Sequence, residues 1–411
     1  MATTSTISEN ATPSDPGSPA STLLVSLSPL TPEALSATLA NLAAAFPNQP
    51  VLVATPDPEP PTLPAAAHLQ LTTYTPPTPA PPAWVLTAAD YLNTFKLMQE
   101  HTSAACLLLG PEAQSLAPEA LRALADAVTT VDLATPHYTL GPRDGLVNSA
   151  ILYPATRALF ATRTRYPLAI DLAFTARMAQ RLATCAQKHT AAGQGAALVW
   201  PVAEAAIAGF SLAEVPAGAR ALAPPDFEDL NSLLAQVAGS FFADIDAKAS
   251  FWQRARLAYP AKAAAYAEAA TAGPNEAPET PNIQPMLDSF CLAYANLHEI
   301  WSLVLPPNSL LGLKKLSLLP PAAFRMPDSL WARIVYDFLL AYRLRTLNRG
   351  HLLGAFTPLY LAWVASHLLL TSGAAADSVA PENHIEALAA AFEADKPYLV
   401  SRWRWPDRFN P

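Results

Sequence analysis

The chain has 411 residues, of which 51% are apolar and 14% charged. That composition builds a buried core and excludes a disordered protein. Its net charge of −8 and the lack of a basic run remove the positive face that a nucleic-acid partner requires. Cys106, Cys185 and Cys291 are too dispersed for a disulfide framework or a CxxC zinc site, and the N-terminus lacks a signal-peptide pattern, so a reducing, cytoplasmic setting is expected.

Residues 1–21, rich in Ser, Thr, Pro and Ala, read as a disordered tail. Leu23 to Leu27 is a short apolar strand. Thr31-Pro32-Glu33 then starts a helix, with a capping hydroxyl, a proline at the first helical position and an acid in the first turn. Leu35, Leu39, Leu42 and Phe46 follow at helical spacing, and Val51 to Ala54 is the next strand. Alternation of this kind predicts a parallel sheet covered by helices. The ten prolines between Pro56 and Pro82 predict a stiff, extended loop. Further along, a helix is expected over 88–101, a fully buried strand at Cys106 to Leu109, a capped helix over 115–128 and a strand over 131–135.

From about residue 228 the pattern is helical. Leu230, Leu233, Leu234 and Val237 share one face, and so do Leu287, Phe290, Cys291, Tyr294 and Leu297. The Pro/Ala/Glu-rich stretch near 271–285 reads as a loop, with further helices over 331–347 and 384–392. Residues 352–370 are mostly apolar and close to a membrane span in length. Pro358 and His367 interrupt them and no basic cluster flanks both ends, so a helix buried in a bundle is expected and a membrane partner is not.

The run from Pro136 to Leu182 carries a resemblance. Tyr138, Arg143, Asp144-Gly145, Asn148, Pro154-Ala155-Thr156-Arg157 and Asp171 appear in the order found in retaining glycosyltransferases of the mannosylglycerate- and glucosylglycerate-synthase type. Thr357-Pro358-Leu359-Tyr360 and the segment from Phe392 to Leu399 resemble that family's C-terminal helical region. The resemblance runs from about residue 22. It implies a GT-A fold, an α/β domain over 22–227 whose mostly parallel sheet is flanked by helices, followed by a helical region over 228–411. It also implies transfer of a hexose from a nucleoside-diphosphate sugar to a small hydroxy-acid-type acceptor. Mg²⁺ or Mn²⁺ on an Asp-x-Asp motif would neutralise the leaving diphosphate.

The chain departs from that pattern at three places. After the strand at 106–109 it reads Gly110-Pro111-Glu112, which leaves Glu112 as the candidate metal ligand. After Trp200, Val202 or Ala203 stands where relatives carry an acid, and Glu204 comes one or two residues late, turned about 100–200° away on a helix. The segment from Gly218 ends in Leu222 where relatives place a metal-binding His. Without those ligands a diphosphate would need cations, and Arg143, Arg157, Arg163 and Arg165 are candidates because arginine pairs phosphate in a bidentate way. Each reads equally as a surface or structural arginine.

Asp171 is the candidate catalytic residue. It lies in an apolar segment, where a carboxylate is costly unless paired or functional. Either it meets sugar or acceptor hydroxyls, or it caps a helix beginning near Phe174. Tyr138 and Asn148 are pocket residues or satisfied core polars. His137 and His351 have no metal spacing, and Trp403 and Trp405 cover the core or dock a partner. No GxSxG, HExxH, P-loop or GxGxxG motif occurs. Two functions stay open: a hexosyltransferase, and a catalytically inactive homologue acting as a binding or regulatory protein. A homo-oligomer is compatible with either.

Overall fold

The computed structural model describes residues 23–56, 68–75, 84–141, 143–222, 229–255, 282–372 and 380–405. The tail at 1–21 and most of the 271–285 stretch lie outside them. In chain order come β1 (Leu23–Leu27), α1 (Pro32–Ala45), β2 (Val51–Thr55), β3 (Leu69–Thr73), α2 (Ala88–Glu100), β4 (Ala105–Leu109), α3 (Pro118–Ala127) and β5 (Leu133–Thr139). Then follow α4 (Tyr153–Phe160), β6 (Asp171–Thr175), α5 (Ala176–Ala191), α6 (Pro201–Ala208) and β7 (Leu212–Ala219). The strands make one sheet in the order β3-β2-β1-β4-β6-β5-β7. Only β6 runs antiparallel to its neighbours β4 and β5. This is the mostly parallel, helix-flanked sheet that the resemblance implies.

Local chemistry accounts for most element ends. The Thr31 hydroxyl accepts from the Ala34 amide at 3.2 Å, so α1 starts as its sequence predicts. The proline-rich stretch holds a strand that the loop expectation missed. Residues 65–75 contain no proline, so β3 keeps the amides needed to pair with β2. The helix expected over 115–128 begins instead at Pro118, after a short tight turn at Ala113–Ser115. The helix expected near Phe174 begins at Ala176. Its cap is Thr175, whose hydroxyl accepts from Met178 at 3.4 Å. Asp171 therefore caps no helix: it opens β6, paired with Leu109.

The second half is helical: α7 (Leu230–Ala247), α8 (Ala249–Trp252), α9 (Gln284–Asn296), α10 (His298–Ser302), α11 (Pro307–Ser317), α12 (Asp328–Leu344), α13 (Arg349–Thr371) and α14 (Pro381–Arg404). α12 begins and ends three residues earlier than expected, while α14 is longer than expected and continues through Pro397. α13 contains the apolar run. It is the one helix among the described residues long and apolar enough to cross a membrane, and it is mostly buried. Trp331 of α12 stacks on Phe356 and Trp363 of α13, with centroids 5.4 and 6.2 Å apart. Full burial of an aromatic of this size contributes roughly 2–3 kcal/mol.

Two cores result, one around the sheet and one around the helices. α4 belongs to the helical core although it lies between two strands in sequence. It is entered through a wide π turn at Asn148–Leu152, and the Trp331 indole donates to Ala150 O in that turn at 2.9 Å. Chain order thus places Tyr153, Arg157 and Arg165 at the joint between the halves.

Candidate functional site at the carboxyl ends of the strands

In an open α/β sheet, ligands gather at the carboxyl ends of the parallel strands. Here β4 ends at Leu109 and runs into Gly110-Pro111-Glu112, β5 ends beside Tyr138, and β7 runs into Arg220. Because β6 is antiparallel, its first residue, Asp171, reaches the same edge. A Cβ at Gly110 would lie 2.6 Å from Ile170 O, so the close crossing of β4 and β6 admits only glycine there. Packing thus excludes an aspartate at this first position after the strand.

Asp171 is the hub. Tyr138 Oη donates to its Oδ2 at 2.7 Å and the Gly110 amide to its Oδ1 at 3.2 Å. Arg220 binds both oxygens, Nε to Oδ2 at 2.8 Å and Nη2 to Oδ1 at 3.1 Å. Its remaining donors reach Pro111 O at 2.6 Å, Glu112 O at 2.5 Å, Ala221 O at 2.7 Å and Ser115 Oγ at 3.0 Å. Both charged side chains are 0% exposed. Burial opposes the Arg220 charge, but the facing carboxylate outweighs it and holds the guanidinium above its ordinary pKa. Burial first, then the Asp171 charge, push the Tyr138 phenol well up, so it stays a donor.

Such a knot of charge-assisted bonds ties the ends of β4, β6 and β7 together. Arg220 also fixes Glu112, whose φ of 59° is unusual for a residue with a side chain. The Glu112 carboxylate accepts from Gln114 Nε2 at 2.6 Å. A Mg²⁺ or Mn²⁺ ion needs several hard oxygens free to face one point. The Asp171 oxygens are taken, one Glu112 oxygen is held by Gln114, and among the described residues no three His, Cys, Asp or Glu side chains converge. The residues present do not fit the ion that the resemblance implies.

The arginines expected to form one cradle are divided. Arg157 on α4 pairs with two acids of α14: Nη1 to Glu386 Oε2 at 2.5 Å, and Nε and Nη2 to the two Glu393 oxygens at 2.8 and 3.1 Å. Tyr153 Oη donates to Glu386 at 2.5 Å. Arg165 pairs with Glu382 through Nε at 3.0 Å and Nη2 at 3.1 Å, and Nη2 also reaches Ser149 Oγ at 3.0 Å. Asn148 Nδ2 donates to Arg165 O at 2.9 Å. Two residues proposed for substrate, Arg157 and Arg165, thus hold the sheet half to α14, and a third, Asn148, holds the Arg165 backbone. Arg143 and Arg163 are exposed.

Elsewhere, His137 meets Glu214 at 3.1 Å, whose other oxygen accepts the Arg165 amide at 2.6 Å. Glu204 bonds Arg181 at 2.7 Å and Lys248 at 2.8 Å. Burial works against its charge, but Lys248 and then Arg181 prevail and hold its pKa below the usual carboxylate value. Sequence reasoning missed two features. Arg220 was one, and its signal was a cation in a short apolar segment, read only for its last residue. The other is a trio from three helices with both histidines buried: His367 Nδ1 lies 2.7 Å from His384 Nδ1, and His384 Nε2 lies 3.0 Å from Asp328 Oδ1. No sequence spacing announces it.

No protein-family model and no curated protein matches the chain. Among solved structures it is similar to glucosyl-3-phosphoglycerate synthase from Mycobacterium tuberculosis, in complex with Mn²⁺, uridine diphosphate and glucosyl-3-phosphoglycerate. The identity is 14% and the TM-score 0.34, over 55% of this chain and 79% of that one. The same synthase with Mn²⁺, uridine diphosphate and phosphoglyceric acid gives 15% and 0.33, over 55% and 78%. A further mycobacterial protein gives 13% and 0.33, over 55% and 74%.

Proposed function

We propose that the chain is a glycosyltransferase-type protein whose strand-end site is closed by an internal brace, and that it acts as a binding or regulatory protein. On this reading it is no metal-assisted hexosyltransferase. One observation carries the reading: Arg220 is fully buried and directs its donors to Asp171, three carbonyls and a hydroxyl. For Arg220 to turn toward a diphosphate it would have to leave Asp171 as a buried, unpaired charge, at a cost of about 3–5 kcal/mol. For Asp171 to take a cation or a sugar hydroxyl it would have to give up the same bonds. The pair is an internally satisfied, net-neutral ion pair that leaves neither charge free at the strand ends.

The competing reading is the one the motif order implies: hexose transfer from a nucleoside-diphosphate sugar to a small hydroxy acid. One panel separates the two. The protein is melted with UDP- and GDP-sugars, each with Mn²⁺ and with EDTA, and nucleoside-diphosphate release is followed with three-carbon hydroxy acids as acceptors. A ligand at about 100 times its Kd adds roughly 2.7 kcal/mol of stability, which is readily seen. The expected result is no release above buffer and no stabilisation that depends on Mn²⁺. Release that requires Mn²⁺ and stops in EDTA would overturn the proposal.

A further inference from the structure

We propose that α11 and the turns flanking it form a docking surface for an anionic lipid bilayer, by peripheral contact and without a span. Eight large apolar side chains are exposed among the described residues, and four of them, Leu303, Leu311, Leu318 and Leu319, lie on α11 or in the turns beside it. Leu318 is 76% exposed, Leu303 61% and Leu311 50%. Single exposed leucines are ordinary on a protein surface, but a cluster marks an interaction site.

Helical phase explains how the cluster is presented. On α11, Leu313 and Leu316 are buried, while Leu311, Lys314, Lys315 and Leu318 lie on the opposite face. That face cannot roll inward. A Cβ at Gly312 would stand 3.0 Å from the Leu330 side chain, so α11 sits as close to α12 as a glycine allows.

Charge selects the partner. The chain as a whole is at −8, yet residues 300–327 contain no Asp or Glu and carry Lys314, Lys315 and Arg325. Leucines interleaved with lysines on one exposed face suit the boundary of an anionic bilayer: apolar side chains enter the headgroup region while ammonium groups meet lipid phosphates. Nucleic acid would leave the leucines unused. In another copy of this chain the matching apolar patch is this same face, and a two-fold contact through it would bring Lys314 and Lys315 toward like charges instead of acids. The lysines also lie in the last turn of α11, where cations complement the helix carboxyl end, but this leaves the exposed leucines unexplained.

The test is co-sedimentation of the full chain with vesicles of phosphatidylglycerol mixed with phosphatidylcholine, and with phosphatidylcholine alone. Binding is expected only to the anionic vesicles, weakening as salt rises. The double variant Lys314→Gln/Lys315→Gln should lower the partition coefficient about 30-fold, at roughly 1 kcal/mol per basic residue. Leu311→Ser/Leu318→Ser should also release the protein. Both variants change exposed side chains, and melting at the wild-type temperature would show that they fold. Three results would overturn the proposal: no binding to anionic vesicles; equal binding by wild type and variants; or self-association that the serine variant abolishes while vesicles bind nothing.

Discussion

Acidification should loosen the junction of α12, α13 and α14 through His367. The consistent proton arrangement has His384 donating through Nε2 to Asp328 and accepting at Nδ1 from His367. Trp363 stacks on both rings, at 5.1 and 6.1 Å between centroids, and Arg165 adds positive potential from the sheet half. Burial, then His384, then Arg165 push His367 down to about 4 from an ordinary 6.5. The unfolded chain therefore takes up a proton first. Stability from this group is complete above the ordinary value and drains away as pH falls toward the lower one. Between about pH 7 and about pH 5 the loss works out at about 2 kcal/mol, from roughly 1.36 kcal/mol per pH unit below the ordinary value. Asp244 and Asp337 are pushed up by burial, to about 6 and about 7, so their contributions run the opposite way. Comparing the wild type with His367→Gln cancels them, because glutamine keeps a donor toward His384 without titrating. Urea unfolding at the two pH values should show the wild type losing about 2 kcal/mol more than the variant. Equal losses in the two proteins would refute the assignment to His367.

Two further perturbations test the ion pairs. Arg220→Met leaves Asp171 buried and unpaired and should cost about 3–5 kcal/mol, read from the urea midpoint. Adding Asp171→Asn should restore part of that stability, and a double variant as unstable as the sum of its parts would mean the two do not act as a pair. Arg157→Leu removes the partner shared by Glu386 and Glu393 and should cost about 1–3 kcal/mol, with faster amide exchange along α14. Unchanged exchange there would show that this helix is held by its apolar face alone.

The sequence made some levels of the fold legible and left others hidden, for physical reasons. Apolar runs and caps are local signals, so β1, β2, β4, α1 and α2 were placed from pattern alone. β3 was lost because its flanking prolines dominated the composition of the whole segment. β6 was lost because Leu168 to Phe174 is apolar apart from Asp171, a run that does not separate a buried strand from a buried helix. Asp171 stood out as a carboxylate in an apolar segment, but its partner lies 49 residues further on. Arg157 and Arg165 find their acids more than 200 residues away. Pairing at such range is set by how the halves pack, and no local spacing encodes it.

Those long-range pairs share a logic that bears on function. A buried cation is tolerated only when carboxylates or carbonyls meet its donors. In a chain with so few charges, cations that read as ligand-binding groups are drawn into joints. Arg220 joins β4, β6 and β7, while Arg157 and Arg165 join the sheet half to α14. Glu382 and Glu386 are both more than half exposed in their side chains, so that joint opens to water on its acidic side. The Arg220 joint has no such opening. A small anion in solution could compete for the first joint, whereas the second can be reached only by pulling the strand ends apart. The brace at Asp171 therefore ties the reading of an inactive site to the stability of the sheet: whatever frees this carboxylate for chemistry must first unfasten β4, β6 and β7.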